Sequence, residues 1–309
     1  MKTPIRFTAL ALSMLLASGV ASAADLKIGV SMSAFDDTFL TYLREDMAKQ
    51  AKSYPKGDGV QLQFEDARAD VVKQLSQVEN FISQNVDAII VNPVDTASTA
   101  NIIKAATAAK IPLVFVNRRP DSATLAPGVA AVISDDVEAG RLQMQYIAEK
   151  LDGKGNIVIL LGDLANNSTT NRTKGVKDVL AKYPGIKIEQ EQTGIWSRDK
   201  GMTLVNDWLT QGRDFQAVLS NNDEMAIGAA MALKSAGKKG VLIAGVDGTP
   251  DGLNAITKGD MTVSAFQDAK GQADKSVETA RKMARNEAFE QNVVIPFRLI
   301  TPDNVKEFK

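Results

Sequence analysis

Apolar residues along this chain alternate between two patterns. Short continuous runs at Leu26 to Val30, Val60 to Phe64, Ala88 to Val91 and Ile111 to Val116 are separated by segments whose apolar positions recur every three or four residues. The runs predict buried strands and the segments predict amphipathic helices. From Phe39 to Ala51 the stripe is Leu40, Leu43, Met47 and Ala51; from Val71 to Gln84 it is Leu75, Val78, Phe81 and Ile82. A third helix is predicted over Ala97 to Ala109. Asn92-Pro93 stops the third strand, and Asn117-Arg118-Arg119-Pro120 stops the fourth. Strands alternating with helices imply parallel pairing, right-handed crossovers and helices on both sheet faces.

A second series of the same kind begins after about Ser134. It predicts a helix from Val137 to Leu151 closed by Gly153, a strand at Ile157 to Leu161 and a helix from Thr173 to Leu180. A strand near Ile186 to Glu189, a helix from Gly201 to Leu209 and a strand ending at Leu219 follow. A helix from Ala226 to Leu233 then leads to the run Val241 to Val246. A long helix, Ala269 to Asn286, precedes a final strand, Val293 to Ile300. No sequence repeat of fixed period accompanies this duplication, which argues against a solenoid. The fold class is therefore α/β, with two doubly wound parallel-sheet lobes whose strand ends face a cleft. Two consecutive strands end in polar clusters, Asn221 to Glu224 and Asp247-Gly-Thr-Pro-Asp-Gly252. Ligands of open α/β sheets bind outside the carboxyl ends of the strands, which puts Asn222 and Asp247 at the cleft.

Composition removes several functions. The 309 residues include no Cys and no His, which excludes Cys-His and Ser-His-Asp catalysis and His-ligated zinc. A carboxylate or Ser-Lys enzyme stays open. A formal net charge of −1 argues against a nucleic-acid partner. Lys2 and Arg6 precede an apolar run from Phe7 to Ala17 and then Ala21-Ser22-Ala23, the order of a secretory signal peptide cleaved after residue 23. The run is short for a membrane span, and no Cys follows it to carry a lipid, so a soluble exported protein is expected.

With these features in place, Val30-Ser-Met-Ser33, Asn92-Pro93, Ile111-Pro112 through Asn117-Arg118, Asn222-Asp-Glu-Met225 and Gly245-Val-Asp-Gly-Thr-Pro-Asp-Gly252 resemble the periplasmic sugar-binding proteins of ABC importers, in their ribose- and galactose-binding branch. The resemblance implies two lobes joined by three hinge strands that close over one monosaccharide or cyclic polyol. It places the N-terminal lobe at residues 24–134 plus 268–296 and the C-terminal lobe at 135–267 plus 297–309. The implied substrate contacts are Ser33, Asp37, Phe39, Asn117 and Arg118 in the first lobe, Arg172, Trp196, Asn222 and Asp247 in the second, and Gln267 at a hinge. Implied partners are an inner-membrane permease with its ATPase, and for some members a chemoreceptor. The expected state is a periplasmic monomer without cofactor or metal.

The chemistry of these side chains suits a polyol. Carboxylates, guanidinium groups and amides together saturate hydroxyls that both donate and accept, and Phe39 and Trp196 cover the apolar ring faces. Each residue also has an ordinary structural use. Asn222 and Asp247 serve as cap and turn residues, Trp196 as core, Arg172 as a solvated charge, and Asp36-Asp37 as a helix-start pair.

Departures from the family pattern bear on the ligand. Asp37, Asn117 and Trp196 look like the galactose- and glucose-binding branch rather than the ribose branch. That branch also has an Asp four residues before the arginine and a His two residues earlier. Here those positions are Ser168 and Asn166, and the calcium loop of that branch is missing. Loss of the anomeric-end carboxylate suggests a ring with no anomeric centre, such as myo-inositol, with a hexopyranose or ribose as alternatives. A sugar-responsive repressor would need a DNA-binding segment where the signal peptide stands, and a glycosidase using Asp37 and Asp247 is the remaining enzyme reading.

Overall fold

Continuous apolar runs make the strands of two six-stranded sheets, each covered by helices on both faces. This computed structural model describes residues 25–55, 58–122 and 124–308; the expected signal peptide lies outside them. The first sheet contains β1 (Leu26–Met32), β2 (Val60–Asp66), β3 (Ala88–Val91), β4 (Leu113–Asn117), β5 (Val129–Ile133) and β11 (Asn292–Val294), in the order β11-β5-β4-β3-β1-β2. Its neighbours all run parallel. Helices α1 (Thr38–Ser53) and α9 (Ala269–Ala284) cover one face, with Leu40, Leu43, Met47, Val277 and Ala280 packed against Val30 and Val114. On the other face, Phe81 of α2 (Val71–Ser83) and Ile102 of α3 (Ala100–Ala108) pack against Ile89 and Phe115.

The second sheet has the order β12-β10-β9-β8-β6-β7. Its strands are β6 (Lys154–Leu161), β7 (Gly185–Thr193), β8 (Ala217–Ser220), β9 (Leu242–Asp247), β10 (Val263–Phe266) and β12 (Arg298–Ile300). Its helices are α4 (Asp136–Lys150), α5 (Asn167–Leu180), α6 (Arg198–Thr210), α7 (Asp223–Ser235) and α8 (Pro250–Lys258). The chain passes between the sheets three times, from β5 to α4, from β10 to α9 and from β11 to β12.

The α/β class with two wound sheets is as the apolar pattern implies, and the differences lie in particular elements. Strands β5 and β10 and helix α8 were not predicted. The expected final strand, Val293 to Ile300, is two strands in different sheets. Ile295-Pro296-Phe297 separates them, and proline has no N–H to continue a ladder. Strand β12 also pairs antiparallel with β10, the exception to the parallel rule. Helix α5 starts at Asn167 instead of Thr173, because its first turns bury Ser168, Thr169 and Arg172, polar residues that carry no apolar signal. Helix α2 likewise buries Gln74 and Gln77 beside Val78 and Phe81, while Leu75 and Ile82 are only partly buried.

Candidate functional site

The carboxyl ends of both sheets meet at one cavity between the lobes. From the first lobe it is lined by Asp37, Phe39 and Leu40 at the start of α1 and by Asn117 and Arg118 after β4. From the second come Ser168 and Arg172 on α5, Trp196 before α6, Asn222 before α7 and Asp247 ending β9, with Gln267 from the β10–α9 crossing. Its cavity volume is about 30 Å³. The facing side chains of the two lobes thus stand close together, and the space between them is well below that of an ordinary small-molecule pocket. Of the ten implied substrate contacts, all line this cavity except Ser33, which stands behind Arg118.

Arg172 is 4% exposed, and each guanidinium nitrogen has a partner. Nε donates to Asp136 Oδ1 at 2.7 Å, Nη1 to the Asn221 carbonyl at 2.6 Å, and Nη2 to Gln267 Oε1 at 3.0 Å. Asp247 Oδ1 lies 3.7 Å from Nη1. A buried charge is tolerable only when paired and hydrogen-bonded in this way. The residue is not the solvated helix charge that its sequence position alone suggests.

Arg118 is fixed by a polar network reaching into the first lobe. Its Nη1 donates to Ser33 Oγ at 3.0 Å and to the Pro93 carbonyl at 2.9 Å. Ser33 Oγ donates to Asn92 Oδ1 at 2.6 Å. Gln74 Nε2 donates to the Asn92 carbonyl and Gln74 Oε1 accepts from Val94 N, both at 2.9 Å. Burial lowers the arginine pKa, with Asp37 and Asp163 opposing that shift. Asn117 Nδ2 donates to Gln272 Oε1 and its Oδ1 accepts from Asn92 Nδ2, each at 3.3 Å. Asp37 caps α1 through Leu40 N at 2.9 Å.

In the second lobe Asn222 has both uses. Its Oδ1 caps α7 by accepting from Met225 N, its Nδ2 donates to the Trp196 carbonyl, each at 3.0 Å, and the residue also lines the cavity. The indole of Trp196 packs over Gly162, where an added Cβ would stand 2.1 Å from the ring, and the Arg172 guanidinium lies 5.7 Å from its centroid. Three residues of the lining, Asn117, Trp196 and Asp247, hold positive φ of 67°, 66° and 122°. Such backbone conformations cost on the order of 1–3 kcal/mol each and cluster where function demands a geometry.

Burial dominates the carboxylates. Asp247 is pushed well above the ordinary carboxylate range by desolvation, with Arg172 pulling it down and Asp223 and Asp37 pushing it up. Asp223 is raised to about 6 by burial, against hydrogen bonds from Ser264 and Thr249. It does not line the cavity; Ser264 Oγ, Thr249 N and Thr249 Oγ1 donate to it, tying α7 to β10 and α8.

Asn221, part of the polar cluster expected at the cleft, supports the site, as do Asp136, Gln272 and Gln74, which were missed from the sequence. Asp136 reads there as an ordinary first-turn acid, and the buried amides read as polar surface. Asn166, which occupies the position of a family contact, does not line the cavity. Its Oδ1 accepts from Trp196 Nε1 at 3.0 Å and its Nδ2 donates to the Val94 carbonyl of the other lobe at 2.8 Å.

Residues 28–288 match the family described as periplasmic binding protein domain. A putative rhizopine-binding protein of Rhizobium meliloti is 49% identical over 91% of this chain and 92% of its own length. A xylitol-binding protein of Mycolicibacterium smegmatis is 38% identical over 90% of this chain and 78% of its own. The crystal structure of an ABC transporter solute-binding protein from Bacillus halodurans C-125 with bound myo-inositol superposes with a TM-score of 0.87 at 41% identity. The match covers 93% of this chain and 98% of that one. Among the described residues no helix is long and apolar enough to cross a membrane.

Proposed function

Because this chain belongs to the periplasmic binding protein domain family, whose members bind a solute and do not transform it, we propose that it closes over a cyclic polyol and delivers it to an ABC permease. It is the solute-binding component of a sugar importer of the ribose and galactose branch. The finer reading is myo-inositol. The observation that carries it is the convergence of Arg118, Arg172, Asp37, Asp247, Asn117, Asn222 and Gln267 around one cavity that Phe39, Trp196 and the neutral Ser168 also line. Hydroxyls around the whole rim of such a ring would find charged donors and acceptors, whose hydrogen bonds contribute about 1.5–3 kcal/mol each. The carboxylate that the hexose branch carries four residues before the arginine, at the anomeric end, is here the hydroxyl of Ser168. The bound ligand of the Bacillus halodurans protein supports the same choice.

In this reading the substrate contacts are Ser33 through Arg118, and the nine other residues directly. The lobes are residues 24–134 plus 268–296 and 135–267 plus 297–309, and the three crossings serve as hinges. Solute shifts the equilibrium toward the closed form through its differential affinity for that form, and the closed form engages, from the periplasm, an inner-membrane permease driven by a separate ATPase.

A thermal-shift panel on refolded, ligand-free protein tests the assignment with myo-inositol, xylitol, D-glucose, D-galactose and D-ribose. Solute at about 1,000 times its dissociation constant stabilises by about 4 kcal/mol, a shift of several degrees. The largest shift is expected with myo-inositol. A larger shift with glucose or galactose replaces the cyclitol by a hexose, and no shift with any of the five removes the polyol reading.

A further inference from the structure

Helix α5 begins with an asparagine in the position whose side chain ordinarily caps a helix. Asn166 has the extended backbone of a cap residue, φ −110° and ψ 128°, yet its side chain makes no cap hydrogen bond. Asp37, Ser197, Asn222, Thr249 and Asp268 all cap their own helices. The Asn166 amide is 2% exposed, and its two ends are used elsewhere, on the Trp196 indole and, across the cleft, on the Val94 carbonyl. The helix end it leaves uncapped is served from the opposite lobe, where Thr96 Oγ1 accepts from Asn167 N at 3.3 Å. Thr96 N in turn donates to the Ala165 carbonyl at 3.2 Å.

These bonds between lobes exist only while the lobes are together. Opening withdraws Val94 and Thr96, leaving the first turn of α5 without its outside acceptor. An asparagine stands at the cap position, and its side-chain oxygen can then accept from the N–H of Ser168 or Thr169 in the same turn. We propose that Asn166 is a two-position latch, bridging to Val94 when the lobes are closed and capping α5 when they are open. The latch sets the balance between the two forms, and hence how long a solute is retained, without touching the solute. Its acceptor is prepared: Gln74 Oε1 holds Val94 N in the first lobe. Through Trp196 the same amide ties one wall of the cavity to closure. The proposal rests on the reading that the lobes open and close around a solute.

The two functions of the amide separate by substitution. In Asn166→Asp the side chain is among the strongest helix caps and gains from the positive helix start, but it cannot donate to the Val94 carbonyl. In Asn166→Ala neither function survives. The apparent dissociation constant is the intrinsic one divided by the fraction of competent protein, so the latch predicts that the near-isosteric Asp variant opens more than Ala. Dissociation of myo-inositol should be about tenfold faster than wild type in the Asp variant and about threefold faster in Ala. Thermal unfolding without ligand should rank Ala lowest, with Asp at or above wild type.

Lobe separation is read independently of any ligand. The sequence has no cysteine, so spin labels at Lys104→Cys and Lys200→Cys, both exposed, report the distance distribution of the ligand-free protein. The expected shift toward longer distances is largest in Asp. If myo-inositol fails to bind wild type while distances and melting keep that order, the latch stands and the solute assignment falls. If the ligand binds and Ala exceeds Asp in dissociation rate, or the variants match wild type in distance and melting, the latch is overturned.

Discussion

Arg172 holds more partners than a charge on a helix surface needs, and they explain how it serves a cavity. With Nε on Asp136 and Nη1 on the Asn221 carbonyl, the guanidinium plane cannot turn away from Asp247 and Gln267. Removing one partner of a buried pair strands the other charge. Asp136→Ala should therefore lower unfolding stability by about 3 kcal/mol in denaturant titration, although the residue lies outside the cavity lining. Asp247→Ala should instead weaken solute binding by tens-fold, on the order of 2 kcal/mol by calorimetry. Unchanged affinity would remove Asp247 from the site. Asp223 supplies a pH signature. Its folded pKa of about 6 lies above the value of about 3.9 for an unfolded aspartate, so the folded state holds the extra proton between them. Stability from this group is full below about pH 4 and falls as pH rises through 6. Asp247 shifts in the same direction. The ligand-free protein should melt higher at pH 5 than at pH 8, and Asp223→Asn should flatten that slope; an unchanged slope would refute the assignment. Asn222 and Asp247 were legible because they end apolar runs. Asp136, Gln74 and Gln77 were not, because a buried polar side chain and a solvated one look alike until its partners are in place.

Helices α4 and α5 cross with almost no space between backbones, and that contact carries Arg172 to the cavity. A Cβ on Gly140 would stand 1.9 Å from the Arg172 carbonyl, and one on Gly175 would stand 2.0 Å from the Val137 carbonyl. Both obstructions are backbone, so relief requires moving a helix. Gly175→Ala should cost about 1–3 kcal/mol of stability, or more, and weaken solute binding because the shift displaces Arg172. A variant with wild-type melting and affinity would show that the crossing has slack. Elements with a long apolar stripe or run were readable to within a few residues. The misses have separate physical causes. Strand β5 is a short run diluted by Ala130 and Ala131. Helix α8 sits in a turn-like Gly-Thr-Pro-Asp-Gly sequence, yet Thr249 caps it and Pro250 suits its first position. The divided final strand shows one apolar run serving two sheets.

At the scale of the molecule, the sequence pattern indicated two wound sheets and a cleft, but only the three-dimensional path shows what holds the lobes together. Asn167 Nδ2 donates to the Arg119 carbonyl and to Asp121 Oδ1, beside the bonds of Thr96 to the Ala165 segment. Closure around a solute should reduce the radius of gyration measured by small-angle scattering when myo-inositol is added to refolded protein. An unchanged radius with saturating ligand would mean that binding does not require lobe movement. The three crossings bear as well on how such a chain is made. The first sheet begins at Leu26, yet it gains its outer strand only with Asn292–Val294, after α9 has returned from the other lobe. The first lobe therefore stays unfinished until Asn292–Val294 is in place. Its slow folding step should be the docking of α9 and β11, contacts whose separation along the chain is greatest. A segment far along the chain thus governs when β1 can settle.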